Sequence, residues 1–177
     1  FKVNRGAFSD PAVFEMEKRR VLLKSWLYLG HESEVGAAND YLVRQIVDKN
    51  LIFVRDRHDK VHAFFNTCTH RGARICRDEH GNRKSFSCAY HGWVFNNSGE
   101  LQTQNAPYGY PEGFNDDGTY NLLHVPRLEQ RGGFYFVNFD ANAQSLNDFL
   151  GAAGDRIDMM AEHSADGLEV IRALDRG

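Results

Sequence analysis

Two short cysteine and histidine pairs constrain this chain more than any other feature of its sequence. One residue separates Cys68 from His70, two residues separate Cys88 from His91, and seventeen residues lie between the pairs. Two thiolates and two imidazoles are enough ligands for one soft metal centre. Since each pair lies within a short loop that can fold around a metal, the spacing predicts one shared site.

Two kinds of metal site are compatible with this spacing. A structural zinc ion would take all four side chains around one tetrahedral centre, whereas a [2Fe–2S] cluster can place two cysteines on one iron and two histidines on the other. A single residue between Cys68 and His70 is tight for one ion but allows the side chains to reach two neighbouring irons. Gly72 and Gly92 follow the histidines and let backbone N–H groups approach inorganic sulfides. The residues favour the cluster, and zinc stays the alternative.

Composition and charge limit the fold and the partners. The 177 residues are 42% hydrophobic and 12% aromatic, which suffices for one well-packed core. The formal net charge of −3 gives no reason to expect nucleic acid or an anionic membrane as partner, and favours proteins or small molecules. Three cysteines, an odd number, argue against a disulfide framework.

The ends of the chain and its hydropathy add two expectations. No apolar run approaches the roughly 20 residues that span a bilayer, so we expect no membrane association and a cytoplasmic location. The chain begins at Phe1 without an initiator Met and ends at Gly177 without an obvious stop. We therefore expect it to be part of a longer polypeptide.

The hydrophobic periodicity predicts a β-rich chain with a helix near each end. Asp10 is an N-cap candidate before Pro11, and a helix is predicted over residues 11–25. A second helix is predicted over residues 146–163, and residues 168–172 could begin a strand. Alternating apolar residues and turn sequences predict antiparallel strands over residues 41–47, 51–55, 61–66, 85–87, 93–96, 122–125 and 133–139.

The two loops carry a family resemblance. Residues 68–72 (CTHRG) and 88–93 (CAYHGW) resemble the cluster-binding loops of Rieske proteins, specifically the large (α) subunits of bacterial aromatic-ring-hydroxylating dioxygenases. The resemblance runs from about Phe14 to Arg172 and includes residues 29–34 and 95–99. It implies a mainly β fold of stacked antiparallel sheets with a cluster-binding tip, flanked by an N-terminal and a C-terminal helix.

The resemblance also implies the roles of the four ligands and a division of the chain. Cys68 and Cys88 would bind the inner iron of a Rieske [2Fe–2S] cluster, and His70 and His91 the outer iron near the surface. Three parts are then expected, namely an N-terminal helical segment (1–35), the Rieske domain (36–142) and a connecting helix with the start of a catalytic domain (143–177).

Departures from the respiratory branch of the same family predict a low reduction potential. Rieske proteins of cytochrome bc complexes have a disulfide between the two loops, but Ala73 and Tyr90 stand at those positions here. The same branch has Ser and Tyr hydroxyls near the cluster where this chain has Trp93 and Phe95. Fewer donors stabilise the reduced cluster less, so the resemblance implies a potential toward the low end of the Rieske range.

The function implied by the resemblance is electron transfer within an oxidoreductase. A ferredoxin or reductase would deliver electrons, which would pass to a mononuclear non-haem iron in the catalytic domain of a neighbouring α subunit, with a β subunit as a further partner. That iron would add O₂ to an aromatic substrate. The sequence around residues 95–99 most resembles oxygenases that act on aromatic acids such as benzoate, salicylate or anthranilate. The alternatives are a stand-alone Rieske ferredoxin and a zinc-binding structural module.

The other candidate residues have ordinary structural explanations. Cys76 is expected to be a small buried residue, and Trp93 to pack so that it shields the cluster from water. The remaining histidines have no thiol or carboxylate partner at ligand spacing and are expected to be surface or packing residues; they are His31, His58, His62, His80, His124 and His163.

Overall fold

The computed structural model describes residues 2–171, in which three antiparallel sheets lie between helices near the two ends. The strands of these residues are β1 (Leu27–His31), β2 (Asp40–Ile46), β3 (Lys49–Arg55), β4 (Val61–Phe65), β5 (His80–Asn82), β6 (Ser85–Ser87), β7 (Val94–Asn96), β8 (Leu101–Thr103), β9 (Arg127–Arg131) and β10 (Phe134–Asn138). The sheets have the orders β1-β10-β9, β4-β3-β2-β5 and β6-β7-β8. The predicted mainly β, antiparallel fold class is confirmed.

Strand β3 shows how the sheets stack around two cores. Successive side chains of a strand point to opposite faces of its sheet. Ile52 and Val54 belong to the core that also contains the cluster cysteines, whereas Leu51 and Phe53 belong to the core shared with β1 and β10. All four side chains are fully buried. The four-stranded sheet is therefore covered on both faces, and one of those faces supports the metal loops.

The N-terminal helix is shorter than predicted. Asp10 caps it by accepting a hydrogen bond from the backbone N–H two residues on, at 2.8 Å, and Pro11 takes the first helical position. The predicted helix over residues 11–25 is correct at its start but too long, because Val21 leaves the helical region at φ −120°. The helices are α1 (Gly6–Ser9) and α2 (Pro11–Arg20), followed by a 3₁₀ turn at Leu22–Lys24.

The C-terminal helix is divided into two, α3 (Leu146–Leu150) and α4 (Ala152–Ala161). Gly151 breaks the predicted helix over residues 146–163, because it adopts φ +49° and ψ −132°, a conformation that favours glycine. Of the predicted strand over residues 168–172, residues 168–171 form no strand, and residue 172 lies outside the described residues.

Six of the seven strands predicted between residues 41 and 139 are present within two residues of their predicted bounds, the seventh is wrong, and four strands of the described residues were missed. Residues 122–125 make a single bridge, between His124 and Phe64, instead of a strand. Strands β1, β5, β8 and β9 were not predicted. Strand β5 has the turn-like sequence His80-Gly81-Asn82, yet it pairs with β2.

Strand β1 also corrects the description of residues 1–35 as a helical segment. Leu27–His31 is a strand and pairs antiparallel with β10. The N-terminal part of the chain therefore contributes a strand to the sheets of the middle part. The boundaries at residues 35 and 142 stay a prediction.

Candidate metal centre

The two predicted metal loops have the same backbone hydrogen bonds. In the first loop, the Cys68 N–H donates to the Ala73 carbonyl and the Gly72 N–H donates to the Cys68 carbonyl, both at 2.8 Å. In the second, the Cys88 N–H donates to the Trp93 carbonyl at 2.8 Å and the Gly92 N–H to the Cys88 carbonyl at 2.9 Å. The first loop follows β4, and the second connects β6 to β7.

A glycine in the left-handed region closes each loop. Gly72 has φ +75° and Gly92 has φ +70°, values that L side chains rarely adopt. Gly72 is two residues after His70, and Gly92 directly follows His91. The glycines therefore let both loops turn tightly enough to present cysteine and histidine side chains on the same side.

The structure brings the two cysteine thiols together in the core. Cys68 is 2% exposed and Cys88 is 1% exposed, and both belong to the same hydrophobic core. Burial raises the pKa of the Cys68 thiol and the neighbouring Cys88 thiol raises it further, whereas the backbone N–H groups of His70 and Arg71, which point at the sulfur, lower it. These N–H groups are donors that would stabilise a metal-bound thiolate.

The two histidines lie side by side at the outer end of the loops. The ring centroids of His70 and His91 are 4.6 Å apart, with the ring planes at 70°. Nδ1 of His70 is buried and has no hydrogen-bond partner within residues 2–171. Burial lowers the pKa of His70, and the charges of His91 and Arg71 lower it further. A neutral imidazole with a buried, unpartnered nitrogen is suited to metal coordination.

The donor set fits a two-iron cluster better than a single ion. The thiols form one pair and the imidazoles a second pair, as a centre with Cys₂ on one iron and His₂ on the other requires. Within residues 2–171 no group of three or more His, Cys, Asp or Glu side chains is arranged around one metal ion. A tetrahedral zinc ion would need all four donors around one point.

Aromatic rings lie against both histidines, and only one of them, Trp93, was expected at the cluster from the sequence. Trp93 stacks on His70 with the ring planes at 9°, and Tyr90 covers His91. Trp93 also contacts a group of rings from the segment between β8 and β9, namely Tyr110, Phe114 and Tyr120. The high density of aromatic residues in this segment was the available signal, but without periodicity it did not predict contact with the metal loops.

The third cysteine, Cys76, is buried in the same core as the two cysteines of the site. Its burial was predicted, and its thiol lies 3.5 Å from the Asp78 carbonyl. All three cysteines are free. The absence of a disulfide between the loops agrees with Ala73 and Tyr90 at the corresponding positions.

One of the remaining histidines has a charged partner that its sequence context did not reveal. His62 is buried, and its Nε2 lies 2.8 Å from Oδ2 of Asp56, which is also buried. The two residues lie on opposite sides of the turn between β3 and β4. This pair links the two sides of the β3–β4 hairpin. His62 is thus a buried packing residue, one of the two ordinary roles that we predicted for it.

Comparisons with known proteins identify the domain. The Rieske [2Fe-2S] domain family matches residues 25–112. Toluate 1,2-dioxygenase subunit alpha of Pseudomonas putida is 37% identical over 174 residues, which are 97% of this chain and 38% of that protein. Anthranilate 1,2-dioxygenase large subunit of Acinetobacter baylyi is also 37% identical over 174 residues, 97% of this chain and 36% of that protein.

A solved structure supports the same assignment. Naphthalene 1,2-dioxygenase from Rhodococcus sp. bound to indole superimposes with a TM-score of 0.85 at 35% identity, over 93% of this chain and 37% of that chain. This chain thus spans less than two fifths of the length of the relatives. No helix within residues 2–171 is both long and apolar enough to cross a bilayer. The chain carries a Rieske [2Fe–2S] domain homologous to those of the large (α) subunits of aromatic-ring-hydroxylating dioxygenases.

Proposed function

We propose that this chain is the electron-transfer part of a dioxygenase terminal oxygenase, with Cys68 and Cys88 holding one iron of the cluster and His70 and His91 the other. The unpartnered, buried Nδ1 of His70 beside the His91 ring carries this proposal. A buried polar atom without a partner costs free energy, and a metal bond at that atom removes this cost.

The loop residues prepare the site for the cluster, which when bound takes up and releases single electrons. The backbone N–H groups of His70 and Arg71 point at the Cys68 sulfur and stabilise its thiolate. The lowered pKa of His70 keeps its imidazole neutral, so that Nδ1 is free to bind metal. If Nδ1 binds the cluster, Nε2 would keep the proton of the ring, and an electron taken up nearby would raise the proton affinity of Nε2. Electron uptake would therefore be coupled to proton uptake only at a pH at which Nε2 has lost its proton in the oxidised state.

The partners are further proposals, which rest on the family resemblance. A ferredoxin or reductase supplies the electrons, and a mononuclear non-haem iron in the catalytic domain of a neighbouring α subunit receives them, with a β subunit as a further partner. Toluate and anthranilate, after which two relatives are named, are aromatic carboxylates. We therefore propose an aromatic acid as the substrate class of the whole protein.

The match to oxygenase subunits supports this reading over a stand-alone Rieske ferredoxin. The alignment with toluate 1,2-dioxygenase subunit alpha covers 174 residues, whereas the Rieske family match covers 88 residues (25–112). The similarity to α subunits therefore extends well beyond the Rieske family match. Helices α2, α3 and α4 all lie outside residues 25–112. A ferredoxin would need only the cluster-binding sheets.

Metal analysis and electron paramagnetic resonance (EPR) test the proposed centre. The chain should be purified without oxygen and analysed for iron, zinc and acid-labile sulfide, before and after reduction with dithionite. We expect equal amounts of iron and sulfide, a red-brown colour and a rhombic EPR signal that is present only after reduction. A colourless, EPR-silent protein with stoichiometric zinc would overturn the cluster assignment in favour of a structural zinc site.

A further inference from the structure

The two histidines of the site differ in the ring that covers them. His70 stacks face to face on Trp93, with centroids 4.7 Å apart and planes at 9°. Trp93 is only 1% exposed. His91 lies instead under Tyr90, whose side chain is largely in solvent, with the planes tilted by 33°. One imidazole thus rests on a buried, flat surface, and the other on a ring that water can reach.

Trp93 is itself held in place by three other aromatic side chains. Its indole N–H donates a hydrogen bond to the Tyr110 hydroxyl at 3.3 Å. The Phe114 ring meets it edge to face at 5.9 Å, and the Tyr120 ring does the same at 5.6 Å. These contacts restrict both the tilt of the indole and its rotation in its own plane.

The rings that hold Trp93 are also tied to the loop that carries His70. The hydroxyl of Thr69, the residue between Cys68 and His70, donates to the backbone carbonyl of Tyr120 at 2.6 Å. Phe114 and Tyr120 stack on each other with centroids 4.4 Å apart. The segment between β8 and β9 therefore contacts His70 by two routes, through Trp93 and through Thr69.

We propose that Trp93 is a positioning residue that fixes the plane of the His70 imidazole, and that the Tyr110 hydroxyl fixes Trp93. This inference rests on the proposed role of His70 as a cluster ligand. The strength of a metal–imidazole bond depends on the nitrogen lone pair pointing at the metal, so a ring that can tilt is a poorer ligand. Stacking on a fixed indole holds the ring plane without adding a donor or a charge.

Substitution of Trp93 tests the stacking contact. Trp93→Leu should change the ¹⁴N hyperfine couplings of the reduced chain in pulsed EPR and speed the loss of iron to a chelator by about 10-fold. Trp93→Phe, which restores a flat ring, should recover most of the wild-type values. Phe95→Leu is the matched control, because it removes a buried ring of the same core that packs on Trp93 at 6.4 Å. Equal changes in Trp93→Leu and Phe95→Leu would show simple core filling and overturn the proposal.

A second pair of variants decides the question if Trp93→Leu does not retain the cluster. Tyr110→Phe removes the acceptor of the indole N–H, while Tyr120→Phe removes a hydroxyl from another ring on the same indole. We expect altered ¹⁴N couplings in Tyr110→Phe and wild-type couplings in Tyr120→Phe. Identical spectra in the two variants would contradict the anchoring role of Tyr110. Absence of any cluster in the wild-type chain would instead refute the proposed function, so the two failures are distinguishable.

Discussion

The ring of Tyr90 covers the imidazole of His91, with the ring centroids 3.9 Å apart. Tyr90 is 62% exposed, so this contact is the boundary between the proposed outer iron and solvent. The reduction potential of a buried metal centre depends on how well its surroundings stabilise the added electron. The Tyr90–His91 contact is thus a place where one side chain controls access of water to the site.

Tyr90→Ala should raise the midpoint potential of the cluster while leaving it bound. Water that replaces the Tyr90 ring stabilises the more negative reduced state, whereas the thiols and their donors are untouched. Protein-film voltammetry measures the shift. Tyr108→Ala is the control, because Tyr108 is 92% exposed and stacks on neither histidine within residues 2–171. An unchanged or lower potential in Tyr90→Ala would contradict this explanation.

Cys68→Ser and Cys88→Ser should abolish cluster binding, since serine is a much poorer ligand than a thiolate for these irons. The visible absorption of the purified chain and its iron and sulfide content provide the measurement. Cys76→Ser changes a third free cysteine of the same core and should retain the cluster. Loss of the cluster in Cys76→Ser alone would show that the ligand set is wrong.

His91→Cys should retain a cluster with a lower midpoint potential, because a thiolate adds negative charge next to the iron and disfavours reduction. The EPR spectrum of the reduced chain should change at the same time. His80→Cys introduces the same residue at an exposed position of β5 and should leave both properties unchanged. Wild-type spectra in His91→Cys would exclude His91 as a ligand.

Asp56→Asn should lower the free energy of unfolding at neutral pH by about 1–3 kcal/mol, because Asp56 is buried and hydrogen-bonded. Burial tends to raise the pKa of Asp56, but hydrogen bonds from His62 and from the backbone N–H groups of Lys60 and His58 outweigh it, and the net pKa lies below the ordinary value of 3.8.

The lowered pKa fixes the pH dependence of this effect. The contribution of Asp56 to stability is fully present above the unfolded-state pKa of 3.8 and is lost as the pH falls through the lower folded-state pKa. Urea unfolding of the wild type and Asp56→Asn should therefore differ by a constant amount from pH 7 to about pH 5 and converge in stronger acid. A difference that grows on acidification would contradict the assigned direction.

Local sequence patterns predicted the strands whose side chains alternate or form continuous apolar runs. Strands β2, β3 and β4 follow these rules, and turn sequences mark their ends. Strand β9 (Arg127–Arg131) was missed because its sequence, RLEQR, is almost entirely polar. It is a strand because β10 offers it a complete hydrogen-bonding edge. Pairing with the next strand, across the two-residue turn Gly132-Gly133, overrode the local signal there.

The proposed ligand set could be predicted from the sequence because a Rieske centre needs specific residue types at fixed, short separations. Cys68, His70, Cys88 and His91 satisfy that requirement within two loops, and the glycines that close the loops are part of the same motif. Such local constraints do not depend on the rest of the fold.

Only the tertiary structure decided what surrounds these ligands. The stacking of Trp93 on His70 joins residues 23 positions apart, and the bond from Trp93 to Tyr110 joins residues 17 positions apart, and no periodic pattern connects them. The buried Asp56–His62 pair likewise forms only because β3 and β4 close a hairpin. The sequence by itself determined which atoms can bind the cluster, whereas long-range packing decided how rigidly each is held, because side-chain orientation depends on contacts between distant segments.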